Sequence, residues 1–236
     1  MTEGLWDNET FLAKLQEVGG RSYHDKHPFH LLMNAGQLSP EAIRGWVINR
    51  FAYQTSIPRK DAAILSNCPY HEIRRLWTYR ITEHDGMQGE EGGIEAWLRL
   101  GAACGVSRET MISGEGVAPS VRFAVEAYIH FCREKPWIIA MSSSLTELFA
   151  PDLMAKRLEA FQQHYTWVEP WGFDYFKRRL TQAKVDSKSA LALTLQYCDT
   201  PELQREAVQA LIFKCDLLWA VLDGIHLKYG DVNGKT

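Results

Sequence analysis

Apolar residues recur every three or four positions along almost the whole chain, and alternating apolar and polar positions are nearly absent. This spacing places the apolar side chains on one face of a helix. Ser39-Pro40 and Thr200-Pro201 each offer an N-cap followed by proline at the first helical position. We therefore predict an all-α chain, with helices at about 8–18, 40–56, 58–66, 71–85, 92–103, 119–134, 136–149, 151–163, 172–197 and 201–228.

Glycine and proline mark most of the predicted helix ends, for example at Gly19-Gly20 and Gly92-Gly93. None of these breaks is long enough to be an interdomain linker, and the chain contains no internal repeat. We expect a single helical domain over residues 1–229, followed by a flexible C-terminal tail at 230–236.

Four of the predicted helices carry a cation inside the apolar stripe. These cations are Arg50, Arg80, Arg179 and Lys214. Removing a charge from water costs several kcal/mol even after relaxation, so four such cations would stabilise a core poorly. They would be useful around a polyanionic ligand in a closed cavity. Two alternatives remain open: each cation pairs with a structural carboxylate such as Glu147, or reaches the surface through its long side chain.

The overall composition indicates that the inward cations are not part of a generally basic protein. Of the 236 residues 46% are hydrophobic, and 26 Lys and Arg against 29 Asp and Glu give a net charge of -3, so nothing suggests a nucleic-acid or membrane partner. The five cysteines are odd in number and lack CxxC spacing, which is typical of reduced thiols. No signal-peptide pattern or run of ~18 apolar residues occurs, and we expect a cytoplasmic protein.

Two groups of residues could carry chemistry. His84 can move protons near neutral pH, while Tyr175, one turn from Arg179, offers a hydroxyl donor beside a positive charge. This trio could stabilise an oxygen-centred anion. The second group is three histidines in the segment Tyr23–His30, at a spacing that suggests metal ligands. Pro28 interrupts the helical register that would direct them at one point, so we predict no metal site.

Several segments carry distinctive residue combinations in chain order. They are YHDKHPFH at 23–30, GWVINRFAYQ at 45–54, IPRKDAA at 57–63, HDG at 84–86, GGIEAWLRL at 92–100, VRFAVEAY at 121–128, SSLTELFAP at 143–151, FKCD at 213–216 and LW at 218–219. They resemble the pyrroloquinoline quinone synthase family, and the resemblance extends over about 21–229.

The resemblance implies a compact all-α helical bundle with a haem-oxygenase-like fold that works as a homodimer. It implies an enzyme for the final ring closure and multi-electron oxidation of a quinone precursor to pyrroloquinoline quinone. Dioxygen would be the acceptor and hydrogen peroxide would be released. The partners would be a small-molecule polycarboxylate quinone and dioxygen, with no metal or organic cofactor.

The resemblance also carries roles to individual residues. It implies catalytic roles for His84, Tyr175 and Arg179. It implies substrate contacts for Tyr23, His24, Arg50, Gln54, Lys60, Arg80, Tyr128, Thr146, Glu147, Arg157 and Lys214. One position departs from the family pattern: Met154 stands near Arg157, where well-known members carry a histidine. A thioether cannot relay protons, so this departure bears on the late oxidation steps.

Three other functions remain open. A non-catalytic or partly active carrier of the finished quinone cofactor would use the same pocket. A thiaminase-like helical hydrolase would need a cysteine nucleophile, for which Cys132 has no obvious base. Its cationic substrate would also suit a pocket of arginine and lysine poorly. A haem-binding protein would need an axial ligand, and its propionates could use some of the cations.

Overall fold

The computed structural model describes residues 4–230, apart from the side chains of residues 181–187. Its α-helices are α1 Asn8–Ser22, α2 Pro28–Asn34, α3 Pro40–Asn67, α4 His71–Asp85, α5 Gly93–Ala103, α6 Arg108–Ser113, α7 Pro119–Glu134, α8 Trp137–Ser142, α9 Ala150–His164, α10 Asp174–Tyr197 and α11 Pro201–Tyr229. Shorter 3₁₀ turns are His24–Lys26, Ser143–Phe149 and Pro170–Phe173. The described residues form no strand, so the predicted all-α class is confirmed.

Two long helices lie at the centre of the bundle, and both begin where the sequence predicts. Ser39 Oγ accepts a hydrogen bond from the backbone N–H of Ala42 at 3.1 Å, and Thr200 Oγ1 accepts one from Leu203 at 3.2 Å. Helix α3 has 28 residues and α11 has 29, which corresponds to roughly 42 Å each. They pack against one another, and α7 packs against both.

Aromatic side chains form the part of the core that joins α3, α5 and α9. The ring centroids of Trp46 and Trp97 are 5.3 Å apart, and Phe161 lies 6.0 Å from Trp46. The buried indole of Trp97 is satisfied because its Nε1 donates to the Val47 carbonyl at 2.9 Å. This packing joins α3, which carries the buried Arg50 and Lys60, to α9, which carries the buried Arg157.

Three predicted helix boundaries are wrong. Helix α1 continues through Gly19-Gly20 to Ser22, and α3 continues through Pro58 to Asn67. A proline inside a helix removes one backbone hydrogen bond, but both halves of α3 bury apolar faces that keep the helix continuous. The predicted helix 136–149 changes to a 3₁₀ turn at Ser143. The hydroxyls of Ser142 and Ser143 bond back to the carbonyls of the preceding turn there, at 2.8 and 2.6 Å.

Helices α2 and α6 were not predicted from the sequence. Both are short, with 7 and 6 residues, so their apolar spacing covers at most two turns. Among the described helices, none combines the length and apolar character needed to cross a bilayer. Residues 231–236 of the predicted tail lie outside the described residues.

Candidate active site

An interior cavity lies between α3, α4, α9, α10 and the Ser143–Phe149 turn. It leaves about 40 Å³ for the centres of water-sized molecules. Most of the predicted site residues line it: Tyr23, His24, Arg50, Gln54, His84, Thr146, Glu147, Tyr175 and Arg179. The other five, Lys60, Arg80, Tyr128, Arg157 and Lys214, are buried but do not line the cavity.

The four cations expected to point inward are all buried. Arg50 is 7% exposed, Arg80 4%, Arg179 5% and Lys214 1%. The hypothesis of a charged interior is therefore confirmed at these positions. The structure also separates the cations into two groups, because some of them meet carboxylates and others do not.

Asp61 joins Lys60 and Arg80, two cations of the group that meets carboxylates. It was not among the predicted site residues. Its Oδ1 lies 2.6 Å from Lys60 Nζ and accepts a hydrogen bond from Trp77 Nε1 at 2.7 Å, while Oδ2 lies 3.5 Å from Arg80 Nε. Lys60 also donates to Ser144 Oγ at 2.7 Å. Burial would raise the pKa of the Asp61 carboxyl, but Lys60 and Arg80 lower it below its usual value, so Asp61 is ionised.

Glu147 extends this group of ion pairs toward the cavity. One carboxylate oxygen lies 3.6 Å from Arg80 Nη2, and the other lies 2.5 Å from Arg179 Nη2. Burial would raise the pKa of Glu147, but Arg179 and Arg80 lower it. The alternative that Glu147 is a structural partner of the inward cations is thus correct for two of them, although Glu147 also lines the cavity.

His84 lies at the end of α4, and glycines fix the backbone around it. Gly86 ends the helix with φ +86°, a conformation that favours glycine. Gly92 approaches so closely that a Cβ atom there would lie 2.3 Å from the His84 carbonyl oxygen. The end of α4 and the start of α5 are therefore in close contact at the backbone of His84.

The ring nitrogens of His84 have distinct roles. Nδ1 lies 3.0 Å from the Arg80 carbonyl oxygen and 2.9 Å from Glu83 Oε2. The carbonyl can only accept, so Nδ1 carries the hydrogen and Nε2 is the acceptor of the neutral ring. Glu83 also lies 4.0 Å from Arg179 Nη1. In this tautomer Nε2 carries no hydrogen when the ring is neutral, which is the arrangement that a base acting through Nε2 requires.

Arg50, Arg157 and Lys214 form the second group, with no carboxylate within ion-pair distance among the described side chains. The Arg50 guanidinium lies 4.1 Å above the Tyr53 ring. Lys214 Nζ donates to Tyr53 Oη at 2.6 Å and lies 3.3 Å from the centre of the Tyr128 ring. Burial and the nearby Lys60 lower the pKa of Lys214 well below its usual value. An anion beside these three cations would offset the cost of burying them.

Unsatisfied polar atoms lie in the same region. The described residues offer no hydrogen-bond partner to Gln54 Oε1, Arg50 Nε or Arg157 Nε, all of them buried. Buried polar groups are usually satisfied by protein, water or ligand. Two of these three residues line the cavity, which favours a ligand with both acceptor and donor groups.

Tyr175 is held rigidly at the cavity wall. Its ring packs edge-on against Trp97 with centroids 4.6 Å apart. Burial raises the pKa of Tyr175, and the neighbouring Arg179 offsets only part of that rise. The phenol therefore stays protonated and can donate a hydrogen bond. His84, Tyr175 and Arg179 all line one cavity, as the sequence analysis expected.

The three histidines of the segment Tyr23–His30 divide between two environments. His24 and His30 meet inside the protein, with Nδ1 atoms 3.3 Å apart, whereas His27 Nε2 lies 3.1 Å from Asp223 of α11. Pro28 is the first residue of α2, and His27 Nδ1 caps that helix by accepting from Phe29. Burial lowers the pKa of His24 and of His30 well below the usual value, so both rings are neutral. The described residues form no cluster of three or more potential metal ligands.

Met154 lines the cavity beside this histidine pair. Its Sδ lies 3.7 Å from Arg157 Nη1, while Arg157 Nη2 donates to His30 Nε2 at 3.0 Å. The thioether of Met154, a weak hydrogen-bond acceptor, therefore lies against the Arg157 guanidinium. His30 was not among the predicted site residues, although it supplies the main hydrogen bond to Arg157.

Asp61, Tyr53 and Glu83 are the other residues that the site prediction missed. Asp61 continues the inward spacing of Arg50, Gln54 and Ile57, but the predicted break at Pro58 hid that continuity. Tyr53 lies on the apolar face of α3, where the spacing gives no sign that its hydroxyl is used. Glu83 precedes His84 and carries no periodic signal of its own.

Comparisons with known proteins identify relatives of this chain. A model of the TENA/THI-4/PQQC family matches residues 12–224. A pyrroloquinoline-quinone synthase of Cronobacter sakazakii is 54% identical over 230 residues, covering 97% of this chain and 91% of the relative. A protein of the same name from Pseudomonas aeruginosa is 50% identical over 229 residues, with the same two coverages.

Solved structures share the fold at low sequence identity. A TenA homologue from Pseudomonas syringae pv. tomato aligns with a TM-score of 0.74 and 14% identity, over 95% of this chain and 98% of the other. A domain of unknown function with a haem-oxygenase-like fold, from Shewanella denitrificans, aligns with a TM-score of 0.73 and 13% identity, over 94% and 91%. The predicted haem-oxygenase-like bundle is confirmed.

Proposed function

The chain belongs to the TENA/THI-4/PQQC family, and from that premise we propose that it is a pyrroloquinoline-quinone synthase. The named relatives at about half identity support the enzyme class. The reaction proposed is the final ring closure and multi-electron oxidation of a quinone precursor, with dioxygen as acceptor and release of hydrogen peroxide. The protein's own side chains would supply the chemistry, without a metal or organic cofactor.

The observation that carries this proposal is the imbalance of buried charge. Lys60, Arg80 and Arg179 are matched by Asp61, Glu147 and Glu83, which leaves that network near neutrality. Arg50, Arg157 and Lys214 have no carboxylate partner among the described side chains. Pyrroloquinoline quinone is a tricarboxylate, so its negative charge matches this excess. Guanidinium groups bind carboxylates bidentately, and a cavity that excludes water strengthens the attraction.

Ring closure is then a matter of proximity, because the bound precursor's amine is held against its quinone carbonyl; the C–N bond forms and the carbonyl oxygen leaves as water. His84 Nε2 removes a proton from carbon, the electron pair of that C–H bond moves into the ring system, and a ring oxygen gains a proton, which leaves an electron-rich quinol. The quinol passes two electrons and its two protons to dioxygen, which forms hydrogen peroxide and returns the ring to the quinone state. Tyr175 donates a hydrogen bond to the reduced oxygen, and Arg179 stabilises its negative charge.

The remaining predicted site residues would support this work. Tyr23, His24, Gln54 and Thr146 line the cavity and would contact the ligand directly. Tyr128 lies beneath Lys214 and holds the ammonium group by a cation–π contact. We further propose a homodimer that acts in the cytoplasm, with the quinone and dioxygen as its small-molecule partners.

Burial disfavours the hydrolase alternative. It raises the pKa of the Cys132 thiol to about 11, which leaves little thiolate to act as a nucleophile near neutral pH. The experiment described next distinguishes an enzyme from a carrier of the finished cofactor.

The deciding experiment supplies the quinone precursor to the purified protein with and without air. The enzyme forms the product chromophore and peroxide only with air, while a carrier binds the product but leaves the precursor unchanged. Tyr175→Phe should keep ligand affinity within about threefold but slow the oxygen-dependent step by roughly a hundredfold, the usual effect of losing one donor to an oxyanion. Stopped-flow absorbance and an oxygen electrode measure the two effects. Tyr165→Phe is the control, since that hydroxyl bonds the Met33 carbonyl away from the cavity.

A further inference from the structure

Glu83 lies in the wall between the interior cavity and a second, outer pocket. On the inner side its Oε2 is 2.9 Å from His84 Nδ1 and 4.0 Å from Arg179 Nη1. On the outer side it borders a pocket of about 510 Å³. The pocket is lined by Tyr79, Thr82, Glu83, Gly86, Met87, Glu90, Glu91 and Arg178. The side chain of Glu83 is 16% exposed, whereas that of His84 is 3% exposed.

We propose that Glu83 is a positioning residue for His84, whose carboxylate neutralises the imidazolium formed when His84 Nε2 takes a proton from the substrate. The inference rests on the proposed function and deepens it. In this step the substrate C–H bond breaks, its electron pair stays on the substrate, and the proton bonds to Nε2. The ring then carries a positive charge that needs a nearby anion.

The charges around His84 explain why an anion is needed. The cations Arg80 and Arg179 face it from α4 and α10, and Lys60 lies behind Asp61 on α3. Asp61 and Glu147 are occupied by ion pairs with those cations. Only Glu83, among the described carboxylates, approaches the ring itself at hydrogen-bond distance. Without it, a third positive charge would form next to those of Arg80 and Arg179.

Glu83 is ionised and able to play this part. Burial would raise the pKa of its carboxyl, but the contacts with His84 and Arg179 lower it below the usual value. Since the Arg80 carbonyl already fixes the Nδ1–H form of the ring, the distinctive contribution of Glu83 is its charge. Carboxylates that support a working histidine commonly change activity by about 10–100-fold when removed.

The first test compares Glu83→Gln, which removes only the charge, with Glu83→Asp, which keeps it. Glu90→Gln is the matched control, because it removes the same charge from the same outer pocket at an exposed position. We expect kcat to fall about 10–100-fold in Glu83→Gln with KM within about twofold, a smaller loss in Glu83→Asp and none in Glu90→Gln. An unchanged kcat in Glu83→Gln would overturn the proposal.

The second test uses the outer pocket. Glu83→Ala opens a path from that pocket to His84, so added formate should restore kcat several-fold in a saturable way and leave Glu90→Ala unaffected. A purely structural role for Glu83 gives no rescue by formate. The third test needs no turnover: in histidine-labelled protein, the Nδ1–H resonance of His84 should lie downfield and move upfield in Glu83→Gln.

The three readouts separate two kinds of failure. If the wild-type protein leaves the precursor unchanged, the proposed function is wrong, and the resonance of His84 still decides whether Glu83 is its counter-charge. If the wild type is active but the Gln variant keeps its kcat and its resonance, only the role of Glu83 is wrong.

Discussion

Whether a buried cation meets a carboxylate decides what it contributes to this protein. Lys60 has Asp61 at 2.6 Å, so its charge is offset inside the folded chain. Lys214 has two tyrosine rings and one hydroxyl, which stabilise an ammonium group far less than an anion would. The same residue type is structural at one position and suited to a ligand at the other.

Lys214→Met should raise the free energy of unfolding at pH 7 by about 1–4 kcal/mol, because folding must bury the lysine either as an ammonium group or deprotonated, and an apolar chain of similar volume avoids that cost. The variant should also lose affinity for the tricarboxylate. In the wild type the pKa of Lys214 is lower in the folded than in the unfolded protein. The unfolded protein therefore binds more protons between those two pKa values, and stability rises with pH across that window.

Subtracting the unfolding free energy of the wild type from that of the variant at each pH separates the effect of Lys214 from that of the other titrating groups. Urea denaturation at pH values from 7 to about 10 should show a difference in unfolding free energy that shrinks as pH rises. Lys135→Met, at an exposed position, is the matched control and should show no such trend. A pH-independent difference would mean that Lys214 carries the same charge in the folded and the unfolded protein, so that burial does not lower its pKa.

Two neighbouring glycines in α1 have different structural roles. Gly19 and Gly20 lie next to each other in α1, but only Gly19 faces another element. A Cβ at Gly19 would lie 2.0 Å from Phe149 Cζ, whereas a Cβ at Gly20 would meet nothing within 4 Å. Phe149 also packs on Tyr23, with ring centroids 5.3 Å apart. A glycine in α1 thus supports the wall of the cavity.

Gly20→Ala should stabilise the protein by about 0.5–1 kcal/mol, the usual gain for alanine over glycine inside a helix. Gly19→Ala should instead destabilise it by roughly 1–3 kcal/mol and weaken ligand binding, because Phe149 must move. Thermal unfolding and ligand titration of the two variants measure both effects. Equal stabilities would contradict the close approach of α1 to the Ser143–Phe149 turn.

At the scale of the whole molecule, the size of the cavity sets a condition on binding. Space of about 40 Å³ suits a few water molecules, whereas pockets for drug-sized ligands commonly measure ~300–1,000 Å³. Binding of the proposed tricyclic quinone therefore requires the walls to separate. The Ser143–Phe149 turn is the wall element best suited to move, since 3₁₀ hydrogen bonds have poorer geometry than α-helical ones.

Hydrogen exchange should reveal this opening. We expect faster amide exchange in the Ser143–Phe149 turn and the first turns of α9 than in residues 43–51 of α3. Saturating product should slow exchange in the turn and in α9 by at least tenfold. Mass spectrometry of peptides from free and liganded protein measures this. Equal protection of both regions without ligand would mean that a different wall opens.

The sequence by itself determined the helical class, most helix starts and the inward direction of the cations. These features depend on spacing within one helix, which is local information. It did not determine how the charges pair. Lys60 meets Ser144 across 84 positions, and Lys214 meets Tyr53 across 161. The tertiary structure also decided that Pro58 does not end α3, since packing of both halves outweighs one lost hydrogen bond. That continuity places Asp61 against Lys60 and Arg80, and so leaves Arg50, Arg157 and Lys214 as the cations without a carboxylate among the described side chains.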